Sequence, residues 1–241
     1  MKIAIIIQAR MGSSRLPGKV LMPLGNSCVL DYVVSRCRQV EGNVEVIVAT
    51  SRLEQDDAIE RWCDDHQVAC YRGSEDDVLS RYVEAAASSM PTYVMRVTSD
   101  CPFVDYHLAN GVIAEMAAQP SDLVVVKGSL PRGLVVELIS YEALLRIHEV
   151  GLESRHREHV TYYAYEYPGE FTRTEYEASR AIRYPELRIT LDTEEDYELC
   201  KAVASAFQGD KLVPSSEVVA YLNQHHEIAK LNAHIEQKPV V

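Results

Sequence analysis

Positive charge is the first thing this chain has little of: 24 Lys and Arg stand against 36 Asp and Glu, a formal net charge of −12 at pH 7 over 241 residues. General nucleic-acid binders draw affinity from a basic surface that neutralises phosphates, so that class is excluded and any local cluster of cations becomes conspicuous. Long hydrophobic runs are missing too. Behind Met1 and Lys2 the apolar run is only Ile3–Ile7, shorter than a signal-peptide core and far shorter than a membrane span. The cytoplasm is therefore the expected compartment, with no membrane partner. The cysteines, at positions 28, 37, 63, 70, 101 and 200, form no CxxC pair and no spacing that joins histidines into a zinc site, and read as buried thiols under reducing conditions. Cys101 lies beside Asp100 with no histidine nearby in sequence to activate it, which favours a packing residue over a nucleophile. No internal repeat, low-complexity tract or Gly/Ser linker interrupts the chain. One domain over residues 1–241 is expected, and that length can bury a full core.

What is present is alternation. The β-branched runs KIAIIIQA, VEVIVATS, VACYRG, YVMRVTS and DLVVVKG are separated by segments with apolar residues at i, i+3, i+4 spacing, near 27–41, 54–66, 75–89 and 105–118. This order predicts an α/β fold, a mostly parallel sheet with helices on both faces. The second half is less regular. SLPRGLVVELIS reads as loop plus strand, 141–150 and 154–166 as helical, and RITLD at 188–192 as a strand. A helix follows from Thr193 to about Phe207, with Thr193 as N-cap and Asp196 near capping-box position. The tail from Pro214 to Ile235 reads as helical and QKPVV as frayed, while 128–190 reads as an elaboration that shapes an acceptor site or a contact in a homodimer.

Ligands of parallel sheets bind outside the carboxyl ends of the strands, which directs attention to QARMGSSRLPGK, TSRLEQDD, YRGSEDD and TSDCPFVD. The first of these fits neither familiar phosphate loop: Gly12 and Gly18 enclose five residues, Val20 follows Lys19, and GxGxxG is absent. Its glycines nevertheless permit close backbone approach, its amides and serines can donate hydrogen bonds, and Arg10, Arg15 and Lys19 add positive charge. This is the chemistry of a triphosphate cradle, against the alternative of a solvated basic turn.

RMGSSRLPGKVLMPLG resembles the opening motif of the CMP-sugar synthetases, the cytidylyltransferases that activate sialic acid and Kdo, and is closest to the branch of spore coat polysaccharide biosynthesis protein F. YRGSEDDVLSRY (71–82), RVTSDCPFVD (96–105), REHVTYY (157–163) and RITLDTEEDYEL (188–199) carry the resemblance over nearly the whole chain. It implies a Rossmann-like, GT-A-like nucleotidyltransferase fold and a role as a CTP-dependent cytidylyltransferase that transfers CMP to an acidic sugar or related small anionic acceptor for surface polysaccharide. Position by position, it implies that Arg10, Gly12, Ser13, Arg15 and Lys19 bind the triphosphate, and that Thr50, Ser51 and Arg72 contact the nucleoside. Arg72 reads equally as a surface ion-pair residue.

Asp100 follows one predicted strand and Asp192 ends another, so both can reach one crevice. The resemblance assigns them to Mg2+, which is usually held by one or two carboxylates plus substrate phosphates. With Arg10 and Lys19, Asp100 completes the expected catalytic set. Read alone, Asp192 could cap the helix from Thr193 and Asp100 could serve a turn. In SLPRGLVVELIS the family pattern has aspartates where this chain has Arg132 and Val135, while Glu137 is kept. That implies a more anionic or differently shaped acceptor, contacted by Glu137 with Arg157 and His159 of RHREHVTYY. The cluster reads equally as an exposed helix face with intrahelical ion pairs. Two other functions stay open at this point: a glycosyltransferase on the same fold, though no DxD motif stands at a strand end, and a non-catalytic nucleotide-binding homologue.

Overall fold

The computed structural model describes residues 1–236. Its strands are β1 (Lys2–Gln8), β2 (Pro23–Leu24), β3 (Ser27–Cys28), β4 (Asn43–Ser51), β5 (Ala69–Gly73), β6 (Tyr93–Thr98), β7 (Leu123–Lys127), β8 (Glu137–Ser140) and β9 (Arg173–Glu177). Its helices are α1 (Val29–Cys37), α2 (Asp57–Asp65), α3 (Val78–Ala87), α4 (Tyr106–Ala118), α5 (Tyr141–Val150), α6 (Ser154–Glu158), α7 (Tyr162–Glu166), α8 (Glu194–Ala206), α9 (Ser215–Gln224) and α10 (His226–Ala229). Seven strands form the main sheet in the order β5-β4-β1-β6-β8-β7-β9, and β2 and β3 form a small hairpin apart from it. Within the main sheet β8 pairs antiparallel with both neighbours, and the other pairs are parallel.

The alternation in the central strand explains the two layers. Ile3, Ile5 and Ile7 of β1 enter one core with apolar residues of α1, α2, α4, α8 and α9. Ala4 and Ile6 enter the other with α3, α5 and the segment around Val160, Ala164 and Phe171. Successive strand side chains point to opposite faces, so an unbroken apolar run marks a strand covered on both. Fully buried Arg36 of α1 donates to Val104 O, Lys211 O, Val213 O and Ser215 Oγ at 2.7–2.9 Å, which ties α1 to the segments before α4 and α9. Four satisfied bonds make a buried guanidinium tolerable here.

The structure departs from the expected elements in four places. RITLD is extended but is not a sheet strand: it makes one parallel bridge, Arg188 to Arg132, and Leu191 N donates to Asp100 O at 2.7 Å. Its partners are loops, which a strand pattern in sequence cannot distinguish from a ladder. β9, unforeseen because RTEYE lacks an apolar run, occupies the sheet edge. The predicted helix over 154–166 is broken into α6 and α7 near Val160, whose φ is +37°. The tail is also divided, at His225 between α9 and α10, and α10 ends at Ala229. QKPVV lies outside the described residues. The Thr193–Asp196 capping box is present in both directions.

Gly133 allows the loop between β7 and β8 to approach RITLD. Its φ is +98°, and a Cβ there would lie 2.5 Å from Ile189 O and 2.8 Å from Thr190 N. Backbone atoms cannot move aside as a side-chain tip can, and the left-handed conformation adds its own cost. Gly133→Ala is expected to cost about 2–3 kcal/mol, lowering Tm by roughly 5–10 °C in a chain of this size. A thermal melt within about 1 °C of wild type, well short of the shift that about 2 kcal/mol produces in a chain of this size, would contradict it.

Candidate active site

Most of the site is built at the carboxyl ends of β1, β4 and β6. The loop after β1 folds on itself, with Ser13 N and Gly18 N both donating to Met11 O at 2.9 Å. Gly18, at φ +73°, turns the chain into the short helical turn Lys19–Leu21. Fully buried Asp56 pins this loop to the loop after β4: its Oδ1 accepts Met11 N at 2.7 Å, and its Oδ2 accepts Ser51 N and the Ser51 hydroxyl. Sequence reasoning passed over Asp56 because it stands among acidic residues that also suit the start of α2.

Lys19, only 8 % exposed, is the centre of the arrangement. Its Nζ donates to Asp100 Oδ2 at 3.0 Å, Asp192 Oδ1 at 2.8 Å and Leu191 O at 2.8 Å. Burial disfavours the ammonium, but the charges of Asp100 and Asp192 outweigh burial and hold Lys19 above its ordinary value. For Asp100, burial pushes the carboxyl up, yet Lys19, with hydrogen bonds from Thr98, Lys19 and Cys101, holds it below its ordinary range. At neutral pH Lys19 is cationic and Asp100 anionic. Two carboxylates some ninety positions apart in the chain thus converge on one cation.

The other predicted cations divide. Arg15 Nη2 lies 3.1 Å from Asp192 Oδ2, whereas exposed Arg10 pairs with Glu75 of the loop after β5 at 3.2 Å. Gly12 is exposed, and a Cβ there would meet the Gln55 side-chain amide at 2.8 Å. Ser13 Oγ accepts Leu16 N at 3.4 Å. Thr50 and Ser51 are completely buried under the loop, so they support it and do not line the surface. Arg72 is engaged by Asp57 and Glu60, each at 2.7 Å, and by Ser51 O and Leu53 O, binding β5 to the start of α2. Cys101 is buried, and burial together with Asp100 pushes its thiol far up, which leaves it protonated.

At the start of β8, Glu137 takes Arg96 through Oε2 and the Thr161 hydroxyl through Oε1 at 3.0 Å. Arg96 sits on β6, directly opposite Glu137 of β8. It was missed because its motif drew attention to Asp100, although a charged residue inside an apolar strand was the available sign. His159 is half-buried, and burial, aided by Arg96 against Glu158 and Glu137, pulls its imidazole below the ordinary value. Arg157 is held by Asp77 at 3.5 Å and His148 O at 3.0 Å, so its partners are not those of Glu137. Arg132 and Val135 are both exposed.

The sequence model for "Cytidylyltransferase" matches residues 4–238. The chain belongs to the cytidylyltransferase family. It is accordingly a nucleotidyltransferase, and the resemblance seen in its motifs is a true family relationship. "Spore coat polysaccharide biosynthesis protein SpsF" of Bacillus subtilis is 38 % identical over 94 % of this chain and 96 % of its own. A cytidylyltransferase structure from Leptospira borgpetersenii superposes with a TM-score of 0.89 at 28 % identity, covering 99 % of this chain and all of that one. The fold is also that of CMP:2-keto-3-deoxy-manno-octonic acid synthetase, solved with CTP (TM-score 0.67, 18 % identity, 86 % of this chain and all of that one).

The residues present suit a divalent cation only in part. Among the described residues no group of three or more His, Cys, Asp or Glu could hold a metal ion alone. Asp100 and Asp192 supply two carboxylates to one point already shared by a positive charge. Two carboxylates are the minimal protein donor set for a hard divalent cation whose remaining ligands are waters and substrate phosphates.

Proposed function

We propose that this cytidylyltransferase transfers CMP from CTP to an acidic sugar or related anionic acceptor, with release of pyrophosphate, in the cytoplasmic stage of surface-polysaccharide synthesis. The observation that carries the reading is the ammonium of Lys19 between Asp100 and Asp192 at the end of a glycine- and arginine-bearing loop. The relative named for spore coat polysaccharide biosynthesis and the related fold solved with CTP support the pathway and the nucleotide. No helix among the described residues is long and apolar enough to cross a membrane.

In the reaction, an acceptor oxygen attacks the α-phosphorus, and the bond from that phosphorus to the oxygen bridging to the β-phosphate breaks. Negative charge grows on the α-phosphoryl oxygens and on departing pyrophosphate. Lys19 and Arg15, with Arg10 at the rim, the amide of Gly12 and the hydroxyl of Ser13, are suited to stabilise it. Asp100 and Asp192 would hold Mg2+, which when bound offsets phosphate charge and orients the triphosphate. Arg96, Glu137 and His159 lie ready for the acceptor, Arg96 matching an anionic group. Arg72, Thr50 and Ser51 act in this reading by shaping the nucleoside side from beneath.

The decisive assay follows pyrophosphate release with each of the four NTPs and a set of acidic sugars. Turnover with CTP and an acidic sugar supports the proposal; turnover confined to another NTP or to neutral sugars refutes it. Binding can be read separately. At about 100 times its dissociation constant, CTP should stabilise the protein by about 2.7 kcal/mol, raising Tm by roughly 5–10 °C. A larger shift with ATP, GTP or UTP at the same concentration would displace CTP from the assignment.

A further inference from the structure

Asp192 is held by Arg188 as well as by Lys19 and Arg15. Arg188, 6 % exposed, donates through Nη2 to Asp192 Oδ2 at 3.0 Å and through Nε and Nη2 to the two oxygens of Asp196 at 2.8 and 2.9 Å. Asp196 is fully buried, and its Oδ2 also accepts Asp192 N at 2.9 Å and Thr193 N at 3.1 Å. Asn232, also fully buried and contributed by the segment after α10, donates from Nδ2 to Arg188 O at 3.0 Å and to Asp196 Oδ1 at 2.7 Å. Capping of α8 needs only Thr193 and Asp196. It gives no reason for a buried guanidinium spanning two carboxylates, or for an asparagine brought from the far end of the chain.

The distribution of bonds on Asp192 supplies the reason. Both arginines, Arg15 and Arg188, take Oδ2, while Oδ1 faces the point shared with Asp100 and Lys19. A carboxylate fixed through one oxygen presents the other in a set direction, as groups behind a ligand commonly do at metal sites. We propose that Arg188 is a positioning residue for Asp192, kept in register by Asp196 and Asn232, so that docking of the C-terminal segment sets the angle at which Asp192 Oδ1 meets the divalent cation. The inference rests on the reading of Asp192 as a ligand of that cation.

The test measures Mn2+ binding to the protein–CTP complex by electron paramagnetic resonance, alongside Tm and the KM for CTP at saturating metal. Arg188→Lys keeps the charge but removes the fork that reaches both carboxylates. It should weaken Mn2+ binding about 10-fold or more, with the KM for CTP close to wild type. Asn232→Ala, which leaves Lys19, Asp100, Asp192 and Arg188 intact, should weaken it in the same direction by a smaller factor, and it decides the matter if Arg188→Lys fails to fold. A purely structural role would lower Tm and leave Mn2+ affinity unchanged in the folded variants, and that result overturns the proposal. Asp192→Asn separates the two levels. If it leaves Mn2+ binding unaltered, the reading of Asp192 as a ligand fails and the inference with it; if it weakens binding while Arg188→Lys and Asn232→Ala do not, the inference alone fails.

Discussion

Lys19→Met is expected to lower turnover about 10²–10³-fold, the scale of losing one preorganised donor to charge that develops in the transition state. The methionine keeps the length of the stem and its packing but removes the ammonium that touches Asp100, Asp192 and Leu191 O. The loss should fall mainly on kcat, since Arg10 and Arg15 remain to bind the triphosphate in the ground state. A second consequence follows from the same three bonds. With Asp100 and Asp192 as its ligands, a divalent cation would compete with the ammonium in wild type, whereas in Lys19→Met Asp100 loses its cationic partner and Asp192 keeps only Arg15 and Arg188. Without nucleotide, the variant's Tm should therefore rise more steeply with added Mg2+ or Mn2+ than that of wild type. A folded Lys19→Met protein with undiminished turnover would return the loop to a solvated basic turn.

Asp100→Asn and Asp192→Asn should each raise the Mg2+ concentration needed for half-maximal activity, because a neutral amide is a poorer ligand for a hard cation. Their effects should also be non-additive. Groups acting through one ion lose most of the benefit when either is removed, so the double variant should fall well short of the product of the two single defects. The shared contact with Lys19 Nζ makes this coupling a demand of the geometry. Both variants leave one carboxylate beside Lys19, which retains a partner for its buried charge and favours folding. Multiplicative losses with no change in Mg2+ dependence would show that the aspartates do not share a cation, and the site would have to be redrawn around Lys19 and the arginines alone.

Much of the fold and of the candidate site is legible in the sequence. The unbroken apolar run of β1 between helical periods announces a strand covered on both faces, and the Thr193–Asp196 pair announces the start of α8; both depend on neighbours a few residues apart. The loop QARMGSSRLPGK stands out for the same reason, since its glycines and cations are adjacent in the chain. RITLD shows where local pattern misleads: its alternation is that of a strand, but its hydrogen bonds go to Asp100 O and Arg132 O in loops. Arg72 could be a nucleotide ligand or an ion-pair residue on sequence, and only the positions of Asp57 and Glu60 show what holds it.

The sequence by itself thus determined the α/β class and the family and singled out the cation-bearing loop and the two aspartates as candidates, because each is written in residues close together or in motifs whose order survives along the chain. Tertiary structure alone decided that Lys19 lies between Asp100 and Asp192, that Arg96 faces Glu137, that Asp56 joins two loops, and that Asn232 reaches back to Arg188. The physical reason is range. Periodicity and capping report free energies settled within a turn or two of chain, while a polar group buried against a distant partner is settled by the packing of the whole sheet, which no local window contains.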